Sequence, residues 1–528
     1  MRPAEAPASA DHHVVSAFAD ACDKTFDFVF LGGGGTAAAF LHAVLTESPD
    51  ARVLILEQGA FLVPSHVQNL GLAYQPLMAS ASASPWRSVG DLEVVAQVPF
   101  LGGRTLVWSG SCPRPTREQL SEWPASVVDE LGDFWEAASE WLGVRPATEL
   151  GVEFGSLHSA LRLAASEAIS TEPSLLSPVG DRTLDAPLAH PRHVSGALQK
   201  FSAIVPLLES AAAYPETVTI VTNCAVEELE QRDGRVVAIR TSRGTLRVDD
   251  SEVILGMGTT ESTRLVLASG RTLPSPNAGL NFAANCASFF TCRVPRSAFS
   301  GLADHHAELA ALYVDGSSDN REFHLHVSAV ATSEPARDLK RIYHLMPDMF
   351  GDGTPERVSD PDHVVLIIHG LSEVAGKAMR PTGSRISIGV DGVTEGDFQL
   401  DSDDHAAWNA MDSAVDVVLR AVAGSTPVEY WSDVHGAWTS EPPKRRMPFA
   451  FHETGTLWMG EDPQMSVTDV FGKIHDVANV YVLGGATFPT RGSWNPFLTM
   501  TALSFRLARR LTHKRMGSVS RPSVAGNA

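Results

Sequence analysis

The stretch that decides the fold is FDFVFLGGGGTAAAF, residues 26–40. The residues before the glycines are mostly apolar and aromatic, a pattern typical of a buried parallel strand. The residues after them, TAAAFLHAVLTES, are rich in helix formers and place apolar side chains from Phe40 to Leu45 at helical spacing. A flexible linker would be polar on both sides of the glycines. The run is therefore predicted to be a tight turn that joins a strand to a helix.

The glycine turn has the spacing of a phosphate-binding loop. In the pattern G-x-G-x-x-A, Gly32 permits the turn, Gly34 lets the backbone approach a pyrophosphate, and Ala37 lets the helix pack closely on the strand. The helix N-terminus then faces the anion. A second predicted strand, in ARVLILEQG at 51–59, ends at Glu57, near the position of a ribose-binding carboxylate. We interpret the unit as a dinucleotide site; a doubly wound fold without a nucleotide is the alternative.

Length and composition favour a globular protein of two lobes. The chain has 528 residues, of which 44% are hydrophobic and 20% are charged. The first 24 residues are rich in Ala and Pro and lack the basic and apolar regions of a signal peptide, so we interpret them as a loose tail. No run approaches 18 apolar residues, so no membrane contact is expected. The predicted location is cytoplasmic.

The charge and the cysteines restrict the partners. A net charge of −21 argues against a nucleic-acid partner, which needs clustered Lys and Arg. The same charge is compatible with a cationic substrate, and it also serves solubility. The five cysteines form no CxxC pair and have no His at metal spacing, so neither a structural disulfide nor a metal site is predicted.

Further glycine turns follow predicted strands later in the chain. They lie in VPFLGGRTLVWSG at 98–110, in SEVILGMGTTEST at 251–263 and in NVYVLGGATFPTRGSWNPFLTM at 479–500. The block from His452 through GTLWMG to Asn495–Pro496 and a final helix resembles the C-terminal signature of the glucose–methanol–choline (GMC) flavin oxidoreductases. The resemblance covers nearly the whole chain. Within that family, LGGRTLVWSG and LGGATFPTRGSWNP look most like the pyranose-oxidase-like branch.

The resemblance implies FAD as the cofactor. The ADP part would lie on Gly32, Gly34 and Glu57, and the segment at Val226 would pass the adenine. Some pyranose oxidases attach FAD to a His just before the Trp of the second glycine turn. The equivalent residue here is Val107, which cannot form that bond, so the FAD is predicted to be non-covalent. The predicted cofactor-binding residues are Gly32, Gly34, Ala37, Glu57, Gly102, Gly103, Thr105, Val226, Gly485, Ala486, Asn495 and Pro496.

The predicted catalytic residues are His452 and Asn495. Alcohol oxidation needs a base for the hydroxyl proton, and His has a pKa suited to that task. Asn can both donate to and accept from the substrate oxygen. From the residues alone, a lone His before a turn more often has a structural role, and only the family resemblance places the pair beside the flavin. His324 and His326 share one strand face, and we interpret them as part of the substrate sheet rather than as metal ligands.

The predicted fold class is α/β, with an FAD-binding Rossmann-like lobe of GMC type and a substrate lobe built on an antiparallel sheet. Residues 25–125, 195–290 and 445–512 would form the FAD-binding lobe. Residues 126–194 and 290–444 would form the substrate lobe, and 1–24 and 513–528 would be flexible tails. In 290–444 the short alternating stretches FHLHVSAVAT at 323–332, HVVLIIHGL at 363–371 and RISIGVDG at 385–392 predict an antiparallel sheet, and DHAAWNAMDSAVDVVLRAVAG at 404–424 predicts a helix after it.

The resemblance implies an FAD-dependent oxidase or dehydrogenase that transfers hydride from a sugar, glycoside or polyol to flavin N5. Oxygen or another acceptor would then reoxidise the flavin, and the oligomeric state is open. Three alternatives remain: an aminoglycoside or other natural-product intermediate as substrate, a non-redox lyase that retains FAD, and a non-catalytic flavin-binding protein.

Overall fold

The computed structural model describes residues 15–77, 82–177, 183–193, 196–270, 273, 275–318, 321–347, 357–376, 383–443 and 445–519. The strands are Phe28–Leu31, Val53–Leu56, Arg87–Gly90, Glu93–Val94, Val144–Pro146, Pro187–Ala189, Val218–Val221, Val226–Arg232, Arg235–Thr241, Gly244–Arg247, Glu252–Leu255, Ala283–Pro295, Glu308–Ser318, Arg321–Ala331, His363–Val374, Arg385–Ile388, Thr394–Phe398, Glu429–Ser432, Ala437–Thr439, Phe449–Thr454 and Val480–Val482. The α-helices are Phe18–Cys22, Gly35–Glu47, Val67–Leu70, Ala125–Leu131, Trp135–Leu142, Ser156–Thr171, Ile204–Ala213, Thr259–Ala268, Pro335–Leu345, Ser402–Ala423 and Phe497–Val519. Short 3-10 helices span Leu72–Tyr74, Gly103–Leu106, Ala147–Glu149, Arg296–Ala298 and Gly485–Thr487.

A parallel sheet of five strands forms the centre of one lobe. Its strand order is Val480–Val482, Glu252–Leu255, Phe28–Leu31, Val53–Leu56 and Val218–Val221. Neighbouring strands pair in parallel, and their residues are almost all buried, as expected when helices cover both faces of such a sheet. This is the predicted Rossmann-like lobe, and we call it the parallel-sheet lobe.

The glycine turn lies where the strand Phe28–Leu31 ends and the helix Gly35–Glu47 begins. Gly32 has a φ of +97°, a left-handed conformation that side chains rarely adopt. A Cβ on Gly32 would also lie 2.9 Å from the carbonyl oxygen of Gly256 on the neighbouring loop. The first glycine of the predicted motif is thus required both by its own turn and by the close approach of a second turn.

A large antiparallel sheet forms the centre of the second lobe, which we call the antiparallel-sheet lobe. Four of its strands are 11 to 13 residues long, longer than the short strands expected from the sequence. Their order is Glu308–Ser318, Arg321–Ala331, His363–Val374 and Ala283–Pro295, and Phe449–Thr454 pairs with the last of these. The predicted helix of this lobe is present as Ser402–Ala423 and packs on the sheet face away from the other lobe's glycine turns.

The lobe boundaries differ from the predicted ones in several places. The helices Ala125–Leu131 and Trp135–Leu142 pack in the core of the parallel-sheet lobe, although the sequence analysis placed 126–194 in the substrate lobe. The strand Ala283–Pro295 crosses the predicted boundary at 290. Amphipathic helices carry no signal for which sheet they cover, and this explains the first difference.

The predicted tails and one predicted strand also differ from the structure. The helix Phe18–Cys22 lies within the predicted tail 1–24, and the final helix continues to Val519 within the predicted tail 513–528. The strand Arg385–Ile388 pairs with Thr394–Phe398 in a small separate sheet rather than joining the large one. Among the described residues, no helix has the length and apolar character needed to cross a membrane.

Candidate active site

A cavity of about 570 Å³ lies between the two lobes. Its lining runs from the glycine turn of the parallel-sheet lobe to side chains on the antiparallel sheet. Of the predicted site residues, those that line the cavity are Gly32, Gly34, Glu57, Gly103, Thr105, Val226, His452, Gly485, Asn495 and Pro496. Three others lie behind the lining: Ala37 and Ala486 are buried, and the backbone N–H of Gly102 donates to the carbonyl oxygen of Gly33.

One end of the cavity has the form of a nucleotide cradle. The Glu57 carboxylate accepts hydrogen bonds from the backbone N–H of Gly33 at 2.8 Å and of Gly59 at 2.9 Å. Burial raises the pKa of Glu57, and the backbone donors of Gly59 and Gly33 oppose that rise. A Cβ built on Gly34 meets no atom within 4 Å, so this glycine faces open space at the start of the helix Gly35–Glu47.

Buried polar atoms along the cavity support a polar ligand. The hydroxyl oxygens of Ser111 and Thr260 are buried at lining residues and have no hydrogen-bond partner within the described ranges. A Cβ on Gly34 would enter the open space of the cavity at the N-terminus of the helix Gly35–Glu47, where an anion is favoured. The residues present therefore fit a dinucleotide with several hydroxyl and phosphate oxygens.

The turn after the second glycine motif forms another part of the wall. It is the 3-10 helix Gly103–Leu106, and Val107 lines the cavity directly after it. Arg104 donates two hydrogen bonds to the Glu453 carboxylate, at 2.6 and 2.7 Å. This pair ties the turn to the strand that carries His452.

A break in strand pairing orients His452. The strand Phe449–Thr454 pairs with Ala283–Pro295, and the register shifts between Ala283 and Asn285, as in a β-bulge. His452 lies at this point with a φ of +55°, uncommon for a residue other than glycine. The irregular backbone directs the imidazole both toward Asn285 and into the cavity.

The structure brings His452 and Asn495 together across 43 residues of sequence. Asn495 lies just before the helix Phe497–Val519, and its Nδ2 is 3.4 Å from Nε2 of His452. Both side chains line the cavity. The two residues can therefore contact one oxygen atom of a bound molecule at the same time.

The surroundings of His452 favour its neutral form. Burial is the largest cause that lowers its pKa well below the ordinary value, and the charges of Arg491, His326 and Arg104 lower it further. A neutral imidazole keeps one nitrogen lone pair at pH 7, which is the state that a proton acceptor needs.

Three residues beside this pair were not predicted as site residues. Asn285 contacts His452, and Arg491 contacts Asn285. His326 contacts Asn495, with its Nε2 3.1 Å from Oδ1 of Asn495. The sequence held one signal: His326 lies in the alternating stretch HLHV, which was interpreted only as a sheet face. Within the described ranges, no group of three or more His, Cys, Asp or Glu side chains could hold a metal.

Strand register explains how His326 reaches the site. Phe289, His369, His326 and Tyr313 occupy directly paired positions on four adjacent strands, so their side chains share one face of the sheet. The first three line the cavity, and the rings of Phe289 and His369 stack at 4.0 Å. Aromatic and imidazole rings therefore form the wall around the His452–Asn495 pair.

The sequence matches both signatures of the GMC oxidoreductases, the N-terminal one over residues 26–286 and the C-terminal one over residues 391–504. The chain belongs to the GMC oxidoreductase family and is an enzyme of that type. Members of this family are flavoproteins that use FAD, which agrees with the cavity. The match does not specify a branch, so the pyranose-oxidase-like assignment stays a prediction.

Two relatives align over most of their length. The chain is 25% identical to 6'''-hydroxyparomomycin C oxidase of Streptomyces lividus, over 92% of this chain and 91% of that protein. It is 24% identical to paromamine 6'-oxidase of Streptomyces fradiae, with the same coverage of 92% and 91%.

A solved structure supports the fold. The pyridoxine 4-oxidase of Mesorbium loti superposes with a TM-score of 0.58 and 15% sequence identity, over 93% of this chain and 99% of that one. At this identity the likeness shows the fold alone, and it agrees with the predicted class of a Rossmann-like lobe joined to an antiparallel sheet.

Proposed function

We propose that the protein oxidises an alcohol group of a sugar-like small molecule with FAD, and that His452 is the base. The observation that carries the proposal is the pair of His452 and Asn495 in the wall of a cavity that fits FAD. The family assignment supports the reaction class, and the pair supports the mechanism.

Asn495 and His452 have separate roles in the proposed reaction. Asn495 Nδ2 donates to the substrate oxygen and holds it near His452 Nε2, which accepts the hydroxyl proton. Holding the oxygen between two groups fixes the direction of the carbon–hydrogen bond, and such positioning supplies much of the catalysis. When bound, FAD supplies the hydride acceptor, flavin N5. The stacked rings of Phe289 and His369 line the same cavity.

The charges in the cavity favour a neutral sugar, glycoside or polyol. All three glutamates that line its described part are engaged: Glu57 by backbone N–H groups, Glu261 by Arg264 at 2.8 Å, and Glu453 by Arg104. A substrate ammonium would therefore meet no unengaged carboxylate in this part of the wall.

The second candidate substrate is an aminoglycoside. The names of two relatives that align over most of the chain, oxidases of paromamine and of 6'''-hydroxyparomomycin C, favour it. The net charge of −21 would attract such a cation from a distance.

The test is an anaerobic titration of the FAD-loaded protein followed by its visible spectrum. Sugars, glycosides, polyols, paromamine and simple alcohols are added in turn, and the class that bleaches the oxidised flavin band is the substrate. We expect His452→Ala to slow this bleaching by about 10²–10⁴-fold, the usual contribution of a positioned base. The matched control is His158→Gln, because His158 is buried and paired with Asp185 away from the cavity.

The outcomes separate the proposals. Bleaching by an alcohol that is unaffected in His452→Ala would remove His452 from its role. A flavin band that no alcohol bleaches would contradict the proposed reaction and favour the lyase alternative. Reoxidation of the bleached enzyme by air, as against a dye only, decides between oxidase and dehydrogenase.

The non-covalent attachment of FAD remains part of the proposal. Val107 lines the cavity at the position where a linking His would stand, and an isopropyl group forms no bond to flavin. Acid precipitation should leave all of the flavin absorbance in the supernatant. Flavin in the pellet would contradict the proposal.

A further inference from the structure

A chain of five side chains runs from the buried interior to the cavity wall. Arg491 Nη2 lies 2.6 Å from Asn285 Oδ1, and Asn285 Oδ1 lies 2.9 Å from His452 Nδ1. On the far side of the imidazole, Asn495 Nδ2 is 3.4 Å from His452 Nε2. Asn495 Oδ1 is in turn 3.1 Å from His326 Nε2. The first three contacts decide which nitrogen of His452 carries the proton.

The partners of the Asn285 amide fix its orientation, because each of them can only donate or only accept a hydrogen bond. A guanidinium only donates, so the amide atom that faces Arg491 must be the oxygen. The Asn285 Nδ2 group lies near the backbone carbonyl oxygens of Ser372 at 3.4 Å and Gly492 at 3.3 Å, which only accept. Both sides of the amide therefore select the same orientation.

The fixed amide selects one form of the imidazole. Because Asn285 presents its oxygen, His452 Nδ1 must carry the hydrogen and donate it. In the neutral ring, Nε2 then has no hydrogen and keeps its lone pair. Nε2 is also the atom that faces Asn495 at the cavity wall.

Arg491 makes a hydrogen bond to Asn285, and its guanidinium carbon lies 5.8 Å from the centroid of the Trp494 ring. Its side chain is fully buried, and its Nε and Nη1 have no hydrogen-bond partner within the described part of the chain. Its hydrogen bond to Asn285 is the one that the described residues offer it. A buried cation with unused donors is costly, so a functional reason for retaining it is expected.

We infer that Asn285, held by Arg491, is a positioning residue that keeps His452 as the Nδ1–H tautomer and so makes Nε2 the proton-accepting atom. The inference rests on the proposed function for its catalytic meaning. The tautomer itself is a property of the folded chain and can be measured without a substrate.

The experiment compares Asn285→Leu, Asn285→Asp and Arg491→Met in the FAD-loaded protein. Leucine keeps the volume and removes the acceptor, whereas aspartate keeps the acceptor and loses the two N–H donors. Ser288→Ala is the matched control, because Ser288 is a buried, hydrogen-bonded residue on the same strand whose partners are Asp412 and Trp408. FAD content and melting temperature are measured for every variant.

The first measurement is the ¹⁵N spectrum of histidine-labelled protein, in which the His452 signals are assigned by their loss in His452→Gln. We expect the Nδ1–H pattern in the wild type, in Asn285→Asp and in Ser288→Ala. We expect a mixture of the two neutral tautomers in Asn285→Leu. In Arg491→Met we expect a smaller change, because the carbonyl oxygens of Ser372 and Gly492 still orient the amide. An Nε2–H pattern in the wild type, or an unchanged pattern in Asn285→Leu, would overturn the inference.

The second measurement is the rate of flavin reduction by the alcohol found in the titration. We expect Asn285→Leu to lose about 10–100-fold, the range found when the hydrogen-bond partner that orients a metal-bound imidazole is removed. Asn285→Asp should recover most of that loss. If the only role of Asn285 were to join strands, Asn285→Asp would lower the rate as much as Asn285→Leu, because both variants lose the bonds to Ser372 and Gly492. That result would overturn the inference. If no alcohol reduces the wild type, the proposed function fails and the ¹⁵N spectrum still decides the tautomer.

Discussion

The electrostatic surroundings of a single residue, His452, set the pH range of the proposed reaction. Burial, followed by Arg491, His326 and Arg104, lowers its pKa well below 6.5. The active form is neutral, so the base is ready throughout the neutral range and is lost only when the pH falls through the lowered pKa. Charged or titratable groups that act on His452 or on Arg491 include Arg491, His326, Arg104, Glu453, Glu373, Glu322 and Tyr313.

The first prediction concerns this acid limb. The rate constant of anaerobic flavin reduction should stay level from pH 8 to below pH 6.5 and then decline as His452 is protonated. Replacing Arg491 by Met removes the neighbouring charge that lowers the His452 pKa most, so the decline should move toward pH 6.5. Stopped-flow measurement across pH 4.5–8.5 checks both statements. A wild-type decline centred at or above pH 6.5 would contradict them.

At the residue scale, sequence reasoning could find only part of the site. His452 and Asn495 were predicted because they stand in a C-terminal block that resembles a family signature. Asn285 and His326 lie 167 and 169 residues from the partners they contact. No local pattern reports such pairs, because strand register in the antiparallel sheet and one β-bulge bring them together.

In the glycine turn, the fold needs one glycine, and the proposed cofactor needs the glycine before it. Gly34 has a φ of −98°, which alanine adopts readily, and a Cβ there meets no protein atom within 4 Å. A Cβ on the next residue, Gly35, would lie 2.3 Å from the ring of Phe497. The packing of the protein therefore constrains Gly35 but not Gly34.

The second prediction uses these two glycines as matched variants. Gly34→Ala should keep the secondary structure and the melting temperature of the apoprotein but weaken FAD binding, because the new methyl group enters the cradle. Gly35→Ala should lower the apoprotein melting temperature, because the ring of Phe497 must move out of its packed position. Circular dichroism and FAD fluorescence titration distinguish them. Equal loss of stability in both variants would contradict the assignment of Gly34 to the cofactor.

The third prediction concerns the helix Ser402–Ala423, which supports the antiparallel sheet from behind. Asp401 caps it by accepting from the backbone N–H groups of Asp403 and Asp404, both at 2.9 Å. Asp401→Ala should lower the free energy of unfolding by about 1 kcal/mol, the usual cost of losing a cap. Thermal melts of the FAD-loaded protein check this, and Ser413→Ala on the same helix is the control. A flavin-reduction rate constant that falls with Asp401→Ala would mean that the helix acts on the site.

Sequence patterns predicted the helices and strands that depend on interactions between residues close in the chain. The strand, turn and helix from 26 to 47 and the buried strand at 53–56 are present as expected. The extent of the antiparallel strands was underestimated, because a sheet covered on both faces carries apolar residues continuously instead of alternating polar and apolar ones. The small sheet of 385–388 with 394–398 and 87–90 joins segments about 300 residues apart, which no short pattern can indicate.

In the whole molecule, both lobes contribute residues to the wall of the cavity. Its lining includes Gly32 beside the parallel sheet and His326 on the antiparallel sheet. The final helix, Phe497–Val519, packs against Gly35–Glu47, and Asn495 lies just before its start. A ligand that fills the cavity therefore contacts both lobes, and neither lobe forms the complete site alone.

The last prediction follows from this shared lining. A ligand that binds only the folded protein adds RT ln(1 + [L]/Kd) to its stability, about 4 kcal/mol for FAD at 1,000 times its Kd. Because both lobes line the cavity, this stabilisation should slow backbone hydrogen exchange in the parallel strand Phe28–Leu31 and in the antiparallel strand Arg321–Ala331 together. Exchange measured by mass spectrometry, on apoprotein and on protein with saturating FAD, gives the comparison. Gly34→Ala at the same FAD concentration should show less protection in both strands, since its cradle is obstructed. Protection confined to the parallel strand would mean that the antiparallel sheet folds independently of the cofactor, and the rings around His452 would then be ordered before FAD binds.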